Sequence, residues 1–470
     1  MEFTSFRFIC FLVFVRAMYS FCPDKYRASF FLAASYVLYA SWDLRMAVLL
    51  LVVTALVYIV ALQAQKAEPY SHQYVVFGVS GLVLYLATFK VLQALEGQQN
   101  LVIPLGLSYY VFKLISYLLD VHWKKISAER NFISFAAFVA FFPQIVAGPI
   151  QRADSLIPQL KKPANSGVDV TVRGIVRVLT GFFKKMIIAD NLALFVNQYF
   201  SGPAGHGSIA NVIAFYLFPL QIYADFSGLT DIAIGAALIF EIESPENFDR
   251  PFSAASIGEL WRRWHMSLTE WARIYIFTPL MAATRNYGDF GLAISITVNM
   301  LIIGIWHGFS VTFVVFGLVN AVYLMFDALS SRSRKRMYKT YPRLASFSAF
   351  VGPILTYHLF ALSALFFRAP SLASAVQAIA GLFRPVGDIR RFFESILAPP
   401  HSFAWIAFPA LVFAVVADVL NRRLSVLSTA SLPRPARWSI YAATTVTSIF
   451  LIFVLLTRWS QPNPFFYAMF

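Results

Sequence analysis

Long apolar stretches, separated by short polar or basic segments, follow one another along most of the chain. Each can cross, or nearly cross, a bilayer as an α-helix, because about 20 apolar residues span the hydrocarbon core. The stretches are Phe8 to Phe21, Phe30 to Trp42, Met46 to Leu62, Gln73 to Leu92, Leu101 to Leu119, Phe132 to Ile150, Val172 to Phe200, Ile209 to Phe226, Gly291 to Trp306, Val311 to Phe326, Ala345 to Phe367, Phe403 to Val419 and Ile440 to Leu456. The pattern predicts an all-α polytopic membrane protein with roughly eleven to thirteen helices, some short, broken or interfacial.

The composition agrees with this pattern. Of the 470 residues, 59% are hydrophobic and only 13% are charged, which is too apolar for a soluble fold of this length. Neither a shift in composition nor a repeat separates a soluble part, so a single integral-membrane domain over residues 1–470 is expected. Cys10 and Cys22 show neither metal-ligand spacing nor a disulfide framework, and neither a metal nor a bound cofactor is predicted.

The net charge of +15 comes from basic residues in the short loops, which indicates cytoplasmic loops rather than a nucleic-acid partner. The most basic loop, Ser330 to Arg343, is therefore placed in the cytoplasm. Counting back from it, Gly291 to Trp306 runs outward and Val311 to Phe326 returns, so His307 lies at the turn of a hairpin. Both arms are short for a full crossing, which predicts a turn within the outer half of the membrane, at the floor of a cavity open to the periplasm.

His307 is the first candidate for chemistry. It stands in the sequence GIWHG at residues 304–308, among apolar residues. A titratable ring at membrane depth costs free energy unless it lines a cavity or meets a partner, which favours a functional interpretation. Neutral imidazole, with an ordinary pKa of about 6.5, can take the proton of a hydroxyl during acyl transfer. Trp306 adds a flat wall and an indole donor beside it. The alternative is a histidine that only hydrogen-bonds a helix end.

His265 is the second candidate, at the end of the sequence WRRWH. From Ile257 to Tyr275, apolar residues recur at spacings of three and four with charged residues on the opposing face. This spacing predicts one amphipathic helix lying at a membrane interface. His265 falls at the inner edge of the apolar stripe and is expected to point toward the protein. A functional imidazole and an anchor for the interfacial helix both remain open.

A polar cluster closes the apolar stretch that ends near Phe226. Residues 223–231 contain two carboxylates and two hydroxyls, among them Asp225 and Ser227. These two are supporting candidates, because a carboxylate can orient an imidazole, while a structural ion pair with the nearby arginines is the alternative. The sequence has no Gly-x-Ser-x-Gly elbow, phosphate loop or metal-ligand cluster, which argues against serine hydrolases, nucleotidases and metalloenzymes.

The histidine motifs together resemble the membrane-bound O-acyltransferase (MBOAT) family: WRRWHMSL at residues 261–268 is followed by GIWHG at residues 304–308. The family pattern commonly has cysteine or another residue where this chain has Ala224, and the N-terminal third matches less distinctly. The likeness is strongest to the branch that acetylates bacterial exopolysaccharides such as alginate. Further matching segments through most of the chain are residues 104–110, 142–150, 225–231, 245–252 and 366–369.

The resemblance implies an MBOAT-like core in a bacterial inner membrane. It implies an O-acyltransferase that takes an acetyl or other acyl group from a cytosolic thioester such as acetyl-CoA and passes it across the bilayer to an extracytoplasmic polysaccharide. It makes His307 the invariant histidine, acting as base or acyl relay, and His265 the second motif histidine, lining the donor path. It also implies a separate periplasmic acetyl-transfer partner of the serine-esterase-like (SGNH) type and the machinery of polysaccharide synthesis and export.

Other acceptors stay open on the same scaffold. Within the family, cellulose and peptidoglycan O-acetylation and D-alanyl transfer to teichoic acid are alternatives to alginate. A rival of another class is a non-enzymatic glycan-export or transport scaffold, in which the intramembrane polar groups would line a permeation path. Inverted repeats, which are typical of many transporters, are not evident in the sequence.

Overall fold

A computed structural model describes residues 4–67, 70–96, 104–162, 168–201 and 208–383, with residues 433, 435–436 and 439. In these residues all regular structure is helical, which confirms the all-α prediction. The α-helices are α1 Phe6–Tyr19, α2 Arg27–Ala40, α3 Leu44–Lys66, α4 Ser71–Glu96, α5 Leu107–His122, α6 Phe132–Ala140, α7 Ala153–Lys161, α8 Val168–Phe182, α9 Asp190–Ser201, α10 Ser208–Ile239, α11 Ile257–Arg263, α12 Met266–Ala272, α13 Thr278–Ala283, α14 Gly288–His307, α15 Val311–Thr340, α16 Pro342–Arg368 and α17 Leu372–Gly381.

Several of these helices are long and apolar enough to cross a membrane, which makes the chain a multi-pass membrane protein. The six such segments in the described part of the chain are Leu44–Lys66, Ser71–Gln93, Ser208–Ile239, Arg285–His307, Val311–Thr340 and Pro342–Arg368. Other predicted stretches are shorter or broken: Val172 to Phe200 is divided into α8, a π-helical segment Phe183–Ala189 and α9. Phe403 to Val419 and Ile440 to Leu456 lie outside the described residues.

The basic segment Ser330 to Arg343 is not the loop that the sequence predicted. Helix α15 continues through it to Thr340, and Pro342 then opens α16 at the helix position where proline is well tolerated. Arginine and lysine are good helix formers, so a basic composition does not end a helix. Helices α14 and α15 have 20 and 30 residues. The expectation that the hairpin arms are short is therefore wrong, and the depth of the His307 turn stays a prediction.

Contacts divide the chain into two compact units. The first includes the described residues of Met1–Phe183 with Gly228–Glu246, and the second includes the described residues of Lys184–Ser227 and Asn247–Arg423. The five residues singled out for chemistry all lie in the second unit: Asp225, Ser227, His265, Trp306 and His307. The single domain over residues 1–470 stays a prediction.

In the first unit, the proline-containing segment at residues 141–150 forms a buried turn. Gly106 has a left-handed φ of 65°, and a β-carbon there would collide with the carbonyl oxygen of Ile145, so glycine allows the two backbones to meet. The buried Lys113 ammonium donates to Gln144 Oε1 at 3.0 Å. This turn is thus held by packing and by hydrogen bonds, consistent with an architectural role.

In the second unit, α14 and α15 form an antiparallel hairpin whose backbones touch. A β-carbon on Gly304 would overlap the carbonyl oxygen of Phe313, and one on Gly317 would lie 2.7 Å from the carbonyl oxygen of Met300. Small residues at such a seam allow close van der Waals packing where lipid offers no hydrophobic driving force. Gly304 and Gly317 form this close contact, called the glycine seam below. It fixes the end of α14, which carries His307.

The seam predicts unequal effects of two Gly→Ala substitutions. Gly317→Ala is expected to lower the free energy of unfolding by about 1–3 kcal/mol, because the added methyl group overpacks the hairpin. Gly81→Ala in α4 is the control, since a β-carbon there meets nothing within 4 Å. It is expected to be neutral or slightly stabilising, because alanine favours a helix over glycine. Thermal unfolding in detergent measures both, and equal melting temperatures would contradict the seam.

Candidate active site

His265 and His307 line one narrow cavity in the second unit. Both rings are almost fully buried, with exposed fractions of 1% and 4%. The space has room for about one water molecule, so the two imidazoles face a small, enclosed volume. The other lining residues are Ile222, Trp261, Trp264, Leu268, Phe316, Phe360, Ala364 and Phe367.

His307 is the last residue of α14, directly before the turn to α15. Its ring centroid lies 4.8 Å from that of Phe367 in an edge-on arrangement and 6.2 Å from that of Phe313 in a stacked one. The Trp306 ring lies 4.4 Å from His307 and 6.2 Å from His265, measured between centroids. The indole is therefore next to both imidazoles, and aromatic walls limit the directions from which a substrate reaches His307.

His265 does not lie on a continuous helix, and that prediction is wrong. Helix α11 ends at Arg263, Trp264 is extended, and His265 has a left-handed backbone with φ 43° and ψ 52° before α12 begins. A left-handed residue other than glycine costs on the order of 1 kcal/mol or more, and such residues concentrate at functional sites. The break turns the imidazole out of the amphipathic stripe and into the cavity.

A neighbouring segment of the chain holds this break in place. The Asp249 amide donates to the carbonyl of Arg263, and the Met266 amide donates to the carbonyl of Asn247, both at 2.9 Å. The two backbone hydrogen bonds flank His265 on either side. The segment at residues 247–249 thus acts as a clamp on the break between α11 and α12.

The two ring nitrogens of His265 have different surroundings. Nδ1 lies 3.1 Å from Oδ1 of Asn247, a fully buried side chain. Nε2 is buried and has no hydrogen-bond partner among the described residues. Burial lowers the pKa of His265 to about 3, because a charged imidazolium loses its hydration there. The ring is neutral at pH 7.

This lowered pKa predicts a pH-dependent stability. The unfolded chain binds a proton at His265 below about pH 6.5 and the folded chain only near pH 3, so stability present above pH 6.5 is lost as the pH falls. The loss approaches about 1.4 kcal/mol per pH unit for this group. His265→Asn, which suits a left-handed backbone, should show a shallower fall in melting temperature between pH 6.5 and 4.5. Parallel curves for the two proteins would contradict a buried neutral His265.

Helix α15 anchors α11 and thereby the cavity wall. The indole of Trp261 donates to Oδ1 of Asn320 at 3.1 Å. About two helical turns further along α15, the Asp327 carboxylate accepts hydrogen bonds from the Ser256 hydroxyl at 2.8 Å and from the Gly258 amide at 3.0 Å. Because α15 is also packed on α14, the two histidine-bearing segments are fixed to the same helix.

Asp225 and Ser227 lie inside α10, which continues to Ile239, and not at a helix end as the sequence suggested. Asp225 is buried and pairs with the Lys185 ammonium at 2.7 Å, so it forms an ion pair, with a lysine and not with the arginines that the sequence suggested. Ser227 Oγ is buried without a hydrogen-bond partner among the described residues. Phe226, which stands between them, contacts the His265 ring with centroids 4.7 Å apart. Phe226 thus packs on a cavity histidine without lining the cavity itself, and a supporting role for Asp225 and Ser227 stays a prediction.

Comparison with known proteins decides the family. The model of the MBOAT, membrane-bound O-acyltransferase, family matches residues 31–362. The chain belongs to this family. As an MBOAT protein, it is an acyltransferase. Both cavity histidines and the Asn247 clamp lie within the matched residues.

The relatives of this MBOAT chain are named for different acceptors. It is 34% identical to the probable alginate O-acetylase AlgI of Azotobacter vinelandii, over 67% of this chain and 66% of the relative. It is 28% identical to the peptidoglycan O-acetyltransferase of Helicobacter pylori, over 74% and 72%, and 29% identical to the teichoic acid D-alanyltransferase of Bacillus subtilis, over 55% and 67%. The alignments with the alginate relatives span about two thirds of those proteins' length.

Sequence reasoning missed two parts of the site. Asn247 was noticed only within a motif, without a role, although an asparagine between acidic residues and ahead of an aromatic one is a signal for a buried polar contact. Helix α16 contributes Phe360, Ala364 and Phe367 to the cavity. The sequence predicted the apolar stretch Ala345 to Phe367, but nothing in its pattern places that stretch beside His307.

Proposed function

We propose that this MBOAT protein transfers an acetyl group from a cytosolic thioester, such as acetyl-CoA, to an extracytoplasmic polysaccharide of the alginate kind. It does so from a bacterial inner membrane, with His307 as base or transient acyl relay. In the base role, the hydroxyl oxygen forms a bond to the acyl carbon, the carbon–sulfur bond breaks, and His307 carries the hydroxyl proton to the leaving thiolate. The donor thioester and the acceptor hydroxyl account for all atoms of this step, and it needs no bound cofactor.

The observation that carries the proposal is the pair of buried imidazoles on one enclosed cavity. A neutral imidazole suits proton transfer near neutral pH. If only the acyl group passes this point, the polar nucleotide of the donor never enters hydrocarbon, which avoids a large desolvation cost. The resemblance to alginate O-acetylases at higher identity than to the other named relatives favours a polysaccharide acceptor.

Delivery to the polymer is proposed to need partners. A periplasmic SGNH-type protein would receive the acyl group and complete esterification, next to the machinery that makes and exports the polysaccharide. Membrane lipid surrounds the protein, consistent with the exposed apolar side chains along helices such as α3 and α4. The non-enzymatic scaffold loses its support, because the chain belongs to an acyltransferase family.

Peptidoglycan O-acetylation is the second candidate, because a peptidoglycan O-acetyltransferase aligns over 74% of this chain, more than the alginate relatives do. Cellulose acetylation and D-alanyl transfer to teichoic acid are weaker alternatives. The four differ in acceptor or acyl group and share the cavity chemistry. They are therefore separated by the substrate that becomes labelled.

The test uses inverted inner-membrane vesicles, whose cytosolic face is outside, together with the periplasmic partner inside. Acetyl-CoA labelled in the acetyl group is added outside, and polymannuronate or peptidoglycan strands are enclosed. Alkali-labile label on the enclosed polymannuronate supports the proposal. Label confined to peptidoglycan would move the assignment to the second candidate, and no labelled ester on any acceptor would contradict acetyl transfer across the membrane.

A further inference from the structure

The side-chain amide of Asn247 receives hydrogen bonds from three directions. Its Oδ1 lies 3.1 Å from Nδ1 of His265, 3.1 Å from the backbone nitrogen of Ser267 and 2.8 Å from Oγ of Ser267. The side chain is fully buried, so these contacts replace water completely. One amide oxygen thus organises the break between α11 and α12.

The contact with Ser267 identifies which atom of the Asn247 amide accepts these hydrogen bonds. A backbone N–H can only donate, so the atom that it meets must be the amide oxygen and not the NH₂ group. An oxygen at 3.1 Å from Nδ1 of His265 is an acceptor without a hydrogen to give. Nδ1 must therefore carry the hydrogen of the neutral ring.

The hydrogen on Nδ1 determines the state of the other ring nitrogen of His265, Nε2. In a neutral imidazole only one nitrogen bears hydrogen, so Nε2 of His265 holds a lone pair. This atom is buried and has no hydrogen-bond partner among the described residues, while its ring lines the cavity that His307 also lines. A buried acceptor without a partner carries a free-energy cost that a hydrogen-bond donor from a substrate removes.

We propose that Asn247 is a positioning residue that holds His265 in the Nδ1–H tautomer, so that Nε2 accepts a hydrogen bond from the hydroxyl of the acyl acceptor. The inference rests on the proposed acyl transfer for the identity of the hydroxyl, but the tautomer itself does not depend on it. In this tautomer His265 cannot donate to a developing oxyanion from Nε2. Donors for the oxyanion must come from elsewhere, and the His265 lone pair selects a hydroxyl over an aprotic group.

Two charged residues on elements that contact or precede His265 are held in ion pairs. Asp225 on α10 is engaged by Lys185, and Arg263, which precedes the break, is engaged by Glu259. His307 is the other titratable ring on the cavity. The neutral amide of Asn247 orients the ring without the charge that would favour an imidazolium.

Nitrogen-15 NMR of the full-length protein with ring-labelled histidine tests the tautomer without any substrate. The chain has seven histidines, and subtraction of a His265→Asn spectrum isolates the resonances of His265. We expect a protonated, pyrrole-type Nδ1 and an unprotonated, pyridine-type Nε2 at pH 7. A protonated Nε2 in the wild-type protein would overturn the proposal, whether or not the protein transfers acetyl groups.

Two substitutions of Asn247 test the positioning role. Asn247→Asp keeps an oxygen acceptor and should keep the hydrogen on Nδ1, although its charge favours the imidazolium, while Asn247→Leu removes the acceptor and should produce a mixed or reversed tautomer. In vesicle assays, Asn247→Leu should lower kcat by about tenfold, the effect of losing one hydrogen bond, with the KM for acetyl-CoA unchanged. Asn247→Asp should recover part of that loss.

Asn211→Leu is the matched control, because it also removes a buried amide, one that donates to the Gly381 carbonyl away from His265. It should leave the His265 resonances and kcat unchanged. If Asn247→Leu does not fold, the wild-type and Asn247→Asp spectra still decide the tautomer. Equal kcat losses in the Leu variants at positions 247 and 211, with an unchanged tautomer in both, would reduce Asn247 to a structural residue.

Discussion

Replacing His307 by glutamine is expected to reduce acetyl transfer by about 10²–10⁴-fold, the range found when a positioned proton-transfer group is lost. Glutamine retains a polar side chain of similar size, so the aromatic walls around position 307 keep their packing. What it loses is an imidazole nitrogen that can take a proton or carry an acyl group. Labelled acetyl appearing on an enclosed polymer, normalised to the amount of protein in the vesicles, measures the effect.

His358→Gln is the control for this experiment. His358 lies on α16 and is exposed, and its Nδ1 makes a 2.7 Å contact with the Ile354 carbonyl of its own helix. It has the same residue type as His307 and also lies on a membrane-spanning helix, but it does not line the cavity. Acetyl transfer by His358→Gln should equal that of the unmodified protein. Retained transfer by His307→Gln, within a factor of a few, would remove His307 from the chemistry.

The second large effect is expected for His265→Asn, with a loss of acetyl transfer of about 10²-fold, because the hydroxyl loses the acceptor that positions it. Asparagine adopts left-handed backbones more readily than most residues, so the break between α11 and α12 is preserved. Its shorter side chain cannot both meet Asn247 and reach into the cavity as the imidazole does. The vesicle assay gives kcat, and the melting temperature shows whether the fold is intact.

Lys124→Asn provides a comparison for the backbone effect alone. Lys124 also has a left-handed backbone, with φ 57°, and lies in an exposed turn of the first unit. The same substitution there changes the side chain at an equivalent backbone geometry away from His265, and acetyl transfer should be unchanged. A similar loss in both variants would mean that the effect of His265→Asn does not arise from the loss of the imidazole.

Periodic features of the fold were accessible from the sequence. The long apolar stretches around Met46 to Leu62 and Gln73 to Leu92 became α3 and α4, because a membrane helix must satisfy its backbone internally and so leaves an uninterrupted apolar signature. His307 was predicted at a hairpin turn, and it is the last residue of α14. These predictions depend only on residues that are close in the sequence, so the sequence pattern is sufficient to make them.

Features that depend on distant residues were not accessible. The spacing of apolar residues from Ile257 to Tyr275 fits a continuous helix, yet hydrogen bonds from Asn247 and Asp249 stabilise a break at His265 that the local pattern does not encode. At His265, tertiary contacts therefore outweigh the local signal. Helix α15 was missed for another reason: its basic residues indicated a loop, although arginine and lysine are good helix formers and the helix continues to Thr340.

The glycine seam of α14 and α15 has a consequence for redesigning acyl-chain selectivity. Any enlargement at Gly304 or Gly317 pushes the hairpin apart and moves His307. Ala364 on α16 lines the opposite part of the cavity surface without belonging to that seam. If the cavity holds the acyl group as proposed, a bulkier side chain at Ala364 should narrow the room for longer chains and leave the α14–α15 hairpin untouched.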